Sequence, residues 1–178
     1  MRDYFQRSRA MAIVILVLLI LMLLCTAPVS AGSINIEVNT DSLTMTLNPN
    51  SDNQNTDVFV KVSADTVGWT LGVRDNRAQN KPDTTDGYMT DWDGVNTWNS
   101  AIKLANKMRI QGASVTGATQ EDEITLSYAN QVLEIGTAAV IGTDITMTIK
   151  QPVAWTDPIL TAPHTYRIVI EFIGTTPV

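Results

Sequence analysis

From Ile34 onward, apolar and polar residues change places almost one by one, in runs of five to eight residues. Ile34, Ile36 and Val38 alternate with Asn35, Glu37 and Asn39. Leu43, Met45 and Leu47 alternate with Ser42, Thr44 and Thr46. The same pattern recurs in Val58–Ser63, Trp69–Arg74, Ile124–Tyr128 and Ile145–Lys150. A last run places Tyr166, Ile168, Ile170 and Phe172 on one face, with Arg167 and Glu171 on the other. Successive side chains of a strand leave on opposite faces, so a period of two marks half-buried strands. With weaker runs at Met108–Gln111 and Val132–Ile135, the pattern predicts about nine strands. A helical period is confined at most to Asn99–Lys107, where Ile102, Ala105 and Met108 are spaced three apart. The expected class is all-β, an antiparallel two-sheet β-sandwich of the immunoglobulin-like kind, with a closed barrel as competitor.

Residues 1–31 break this pattern. Arg2, Arg7 and Arg9 precede an unbroken apolar run from Met11 to Leu24. Fourteen residues suit a signal-peptide core and fall short of the ~20 of a membrane span. Pro28 interrupts the helix-forming stretch, and Val29-Ser30-Ala31 offers small residues to a peptidase. Cleavage between Ala31 and Gly32 is expected, leaving one domain over 32–178. A retained anchor is the alternative, and it would be the chain's one membrane contact. Cys25 follows Leu24, where a lipoprotein box has a small residue, so it reads as part of the leader. Arg9-Ala10-Met11-Ala12 resembles the processing site of archaeal pilins, which keep their apolar segment as a filament-core helix; Pro28 argues against such a helix.

Charge narrows the partners. The chain has 12 basic and 18 acidic residues. Removing 1–31 takes three arginines and Asp3, which leaves 9 basic and 17 acidic residues, a net −8. Such a surface repels phosphate backbones, so no nucleic-acid partner is expected. The mature chain holds no cysteine, which excludes thiol catalysis and cysteine-ligated zinc.

Two loops are rich in Asx residues. Asn48–Asp57 reads as a solvated turn, and Asp75–Ser100 as one long irregular segment. Within the second, Asp91, Asp93 and Asn96 surround Gly94 and are candidate calcium ligands, since alternating oxygens suit a hard cation. The competing reading is that they satisfy turn backbone. Trp92 and Trp98 lie among them, as candidate stacking platforms for a carbohydrate or as covers for the sandwich end. Trp69 and Trp155 read as core or sheet-edge residues. His164, the only histidine, reads as a solvent-exposed turn residue without a nucleophile motif beside it. No catalytic residue and no obligate cofactor is expected.

The pieces "INIEV", "LTMTLNP", "VFVKVSADTVGWTLGVRD", "GYMT" and "QPVAWTDPILTAPHTYRIVIEF" resemble small secreted β-sandwich surface proteins of methanogenic archaea, distantly similar to bacterial WxL-type surface domains. The resemblance implies export, a secreted or cell-surface location and a non-enzymatic, structural role. Its expected partners are further copies of the chain or other envelope proteins. Once the leader is removed, Ser33–Asn39 is a free-ended strand. It can pair within its own sheet or add to a neighbour's, which makes Ile34, Ile36 and Val38 candidate self-association residues.

Overall fold

A computed structural model describes residues 32–76 and 85–177. The signal helix, the retained-anchor and pilin-like readings and the Ala31 side of the cleavage site lie outside these residues. The protein is all-β, with no helix among the described residues. The strands β1 (Ile34–Val38), β2 (Ser51–Asn55), β3 (Phe59–Ala64) and β4 (Thr70–Asp75) come first. They are followed by β5 (Thr90–Trp92), β6 (Trp98–Lys103), β7 (Arg109–Gly112) and β8 (Ala118–Gln120). The last are β9 (Ile124–Thr125), β10 (Gln131–Gly136), β11 (Val140–Val153), β12 (Thr165–Arg167) and β13 (Ile170–Thr175).

These strands form three antiparallel sheets. One has the order β1-β3-β11-β7-β9, with β2 also on β11. The second is β13-β4-β10-β8, and the third β12-β5-β6. The strand β11 organises the first sheet, because its 14 residues serve three partners. Val140–Thr146 pairs with β3, Met147–Lys150 with β7 and Ile149–Val153 with β2. Between β2 and β3 the ladder is bridged by Met147 N–H donating to the carbonyl of Val58. A register shift between Val140 and Thr143 ejects Ile141, which is 95% exposed, and Gly142 takes φ 60° there. A bulge of this kind uses a glycine because a side chain is strained at positive φ.

The alternating apolar residues of the first two sheets share one core. Val60, Val62, Leu71, Leu133, Ile145 and Met147 are fully or almost fully buried in it. Trp69 is also completely buried, and its indole N–H donates to the carbonyl of Ala138 at 2.9 Å. Gly136 lies against that ring so closely that a Cβ there would come within 2.1 Å of Nε1.

Four expectations are corrected. Leu43–Leu47 keeps its alternation of half-buried and exposed residues, and Leu43 and Met45 touch the core, yet it forms no strand. One-sided burial produces a period of two with or without a ladder. The Asn48–Asp57 stretch is not only a turn, since Ser51–Asn55 is β2, and Asn53 is buried with its amide on the carbonyls of Asn48 and Gln151. The long 75–100 segment contains β5 and part of β6, short strands whose polar residues carry little apolar signal. The last run is two strands in different sheets, β12 on β5 and β13 on β4. Arg167 is exposed as expected, but Ile168, Ile170 and Phe172 are only half-buried, and Glu171 is half-buried against Arg74 at 2.8 Å.

The opening strand pairs within its own chain, Ile34 opposite Ala64 and Val38 opposite Val60. Side chains hold both of its ends. Ser33 donates its N–H and hydroxyl to the two carboxylate oxygens of Asp65, each at 2.7 Å. Asn39 donates to the carbonyl of Asp57 and accepts from Phe59 N–H, both at 2.8 Å. Ile34 and Ile36 reach across to Gly174 of β13, where a Cβ would come within 3.0–3.1 Å of them. Val38 is 40% exposed.

Candidate functional site

The polar and aromatic chemistry gathers on the three-stranded sheet. Trp92 lies opposite both Trp98 and Thr165, and Asp91 lies opposite Asn99 and Tyr166. Cross-strand partners share a face, so the sheet separates a tryptophan side from an aspartate side. On the first, the Trp92 and Trp98 rings are 6.4 Å apart and tilted by 44°. The guanidinium of Arg167 lies 4.3 Å from the Trp92 centroid and 5.5 Å from that of Trp98, within cation–π range. Both indoles are half-buried. The two rings named as a candidate platform lie side by side, and Arg167 occupies ring face that a sugar would use.

On the second side, Asp91 is buried and its Oδ1 lies 2.7 Å from His164 Nδ1. Against a carboxylate the ring nitrogen is the donor. His164 is a solvent-exposed turn residue, its side chain 44% exposed and its backbone N–H on the carbonyl of Thr161, and it also holds Asp91. No local signal marked this pair, because 73 residues separate its members and only the β5–β12 register joins them. Next to it, the Tyr166 hydroxyl donates to the carbonyl of Pro158 at 2.6 Å. Burial, helped by the charges of Asp157 and Asp91, pushes the phenol up to about 12.

The turn from β5 to β6 accounts for the Asx residues. Asp93 Oδ1 accepts from the N–H groups of Val95, Asn96 and Thr97 at 2.8–3.0 Å. These bonds, that of Thr97 foremost, hold the carboxyl down at about 2. Gly94 supplies φ 86°, and Asn96 Oδ1 accepts from the Thr97 hydroxyl. The candidate calcium ligands are therefore divided: Asp93 and Asn96 serve their own turn, while Asp91 holds His164. Among the described residues no three His, Cys, Asp or Glu side chains gather as a metal site.

The 154–164 loop is tied to this sheet's surroundings. Asp157 accepts from Ala105 N–H at 2.8 Å and Ala154 N–H at 2.7 Å. It nevertheless shows Trp155 and Ile159 to solvent, at 76% and 94% exposure. Trp155 is thus neither core nor sheet edge, since it follows the end of β11 in a turn. An open groove nearby is lined by Asp52, Tyr88, Ala105, Lys107 and Arg109, among others. Its charges are matched, Lys107 to Asp86, and Arg109 to Asp52 and Glu123.

One ionisable group was not foreseen. Glu134, in β10, is completely buried, and neither carboxylate oxygen has a hydrogen-bond partner among the described residues. Gly112 makes the room, since a Cβ there would lie 2.6 Å from Oε1. Burial, with the charge of Glu121 adding to it, pushes this carboxyl up to about 7. Glu134 follows a register shift in the β4–β10 ladder after Val132, which is why alternation did not place it inside.

In comparison with known proteins, no family model, no curated protein and no solved structure matches the chain.

Proposed function

We propose that the chain is an exported, non-enzymatic building block of a cell surface or extracellular matrix, an immunoglobulin-like two-sheet sandwich that self-associates in an envelope layer or filament. The observation that carries this reading is β1. It ends its sheet, follows directly on Val29-Ser30-Ala31, where the sequence leads one to expect cleavage, and is pinned by bonds that a second copy's β1 would make equally well. Exchange between copies keeps the ladder with β3 and the seat of Ile34 and Ile36 over Gly174, so only association entropy and any new interface separate the monomeric from the exchanged state. The resemblance to secreted sandwich proteins points the same way.

Sedimentation and electron microscopy of the purified mature chain test this. Assembly that disappears on deletion of residues 32–40, with tight binding of a synthetic 32–40 peptide to the truncated protein, is the expected result. A mature chain that stays monomeric at high concentration makes β1 the first strand of its own sheet and nothing more.

A second reading is a carbohydrate- or calcium-binding surface module: the Trp92–Arg167–Trp98 cluster supports the first part, while calcium would have to draw Asp91, Asp93 and Asn96 from the partners they hold. A glycan array examines the first part. For the second, calcium at millimolar concentration and fixed ionic strength raises the melting temperature only if it binds the native state. A pilin-like subunit that keeps its apolar segment is distinguished by mass spectrometry of the native N-terminus.

A further inference from the structure

Arg167 differs from the other described arginines. Arg74 meets Glu171, and Arg109 meets Asp52 and Glu123. Arg167 has no carboxylate partner among the described residues, in a chain with 18 acidic residues. Its contacts are the two indoles, and the residue is exposed. A guanidinium held against aromatic faces loses freedom, while its N–H groups remain available for hydrogen bonds. Those groups form a fork that fits one carboxylate with two parallel hydrogen bonds.

The surroundings narrow the ligand. Asp93 in the adjoining turn, in a chain with 18 acidic against 12 basic residues, disfavours a dense polyanion such as a phosphate chain. The half-buried indoles leave some apolar surface beside the fork. A ligand with a single carboxylate next to an apolar C–H face satisfies both. We propose that Arg167, held across Trp92 and Trp98, recognises the carboxylate of an acidic sugar, a uronate unit of an extracellular polysaccharide. This rests on the carbohydrate-binding reading above and names its ligand class. The uronate carboxylate takes the guanidinium fork while the C–H face of its ring rests on the uncovered parts of the indoles.

The test is an NMR titration of the purified mature chain with a short oligogalacturonate and with its methyl ester, following the Arg167 Nε–H and the indole N–H signals. The acid is expected to shift the signals of Arg167, Trp92 and Trp98, and the ester to bind at least about tenfold more weakly, the loss of a charge-assisted hydrogen bond. Arg167→Gln should bring the acid to the level of the ester, with only the small drop in melting temperature expected from the loss of one exposed cation–π contact. Arg167→Lys, which keeps the charge and the aliphatic stem but loses the fork, should also weaken the acid. Equal binding of acid and ester, unchanged in both variants, overturns the role of Arg167 and leaves the carbohydrate reading standing. No binding of either sugar overturns both. Equal shifts from acetate or from an acidic peptide at matched concentration overturn the sugar and leave a general carboxylate site.

Discussion

In the two large sheets Trp69, Val60, Leu71 and Ile145 are wholly buried, and their strands follow from apolar alternation. In β5, β6 and β12 the two strand tryptophans are half-buried, and cohesion comes from a stacked guanidinium, an aspartate–histidine pair and a carboxylate that caps three N–H groups. The first region is stabilised mainly by area removed from water, a non-directional contribution spread over many side chains. The second depends on a few directional contacts, each of which a single substitution removes. The difference teaches where to expect specificity: in the region whose stability is local and whose chemistry faces solvent.

The largest effect is expected in the core. Trp69→Ala should cost about 3–5 kcal/mol in denaturant melts. Trp98→Ala should cost about 1 kcal/mol, the scale of an exposed cation–π and aromatic contact. Equal losses would abolish the distinction. Phe172→Ala belongs between them at about 2 kcal/mol, because the side chain is only half-buried.

Glu134 provides the next effect, and within the core itself. Its carboxyl rises from 4.5 to about 7 on folding. The native state therefore holds a proton that the unfolded chain releases between these values. Stability is complete below pH 4.5 and falls as the pH rises to about 7, by about 3 kcal/mol. Glu134→Gln should flatten that slope in melts at pH 5 and pH 8. A slope that survives the substitution assigns it to another group.

His164→Ala comes third. It leaves Asp91 buried without its partner, at a cost of about 1–3 kcal/mol. The loss should be local, with faster hydrogen exchange in β5 and β12 and unchanged protection in β3 and β11. Global loss would mean that the small sheet and the core melt as one unit. The smallest effect concerns Asp93, whose carboxyl falls from 3.8 to about 2. Its contribution is complete above pH 3.8 and is lost as the pH falls through about 2. Asp93→Ala should remove that acid transition and loosen only the amides of Val95, Asn96 and Thr97, as read by NMR.

What the sequence disclosed follows the same division. Val58–Ser63, Ile145–Lys150 and Val132–Ile135 announce β3, β11 and β10, because burial of one face writes a period of two into the chain. Leu43–Leu47 writes the same period without a ladder, since alternation reports burial and not hydrogen bonding. β5 and β12 are three residues each, too short to show any period. The tryptophans of the candidate site were legible from their polar neighbours. Arg167 and His164 were not, because contact with Trp92 and Asp91 arises from the register of strands distant in sequence.

The length of β11 has a consequence for the order of events during synthesis. Asn53 must wait for Gln151, 98 residues later, before its buried amide finds that carbonyl. Until then Val60 and Val62 have only β1 beside them, and the strand on their other side does not yet exist. Pairing across such distances makes folding slow relative to local structure. A chain released from its N-terminus first thus travels for most of its synthesis without a closed first sheet, and substitutions along Val140–Val153 that weaken the transition state should prolong the interval in which β3 is exposed to chaperones and proteases.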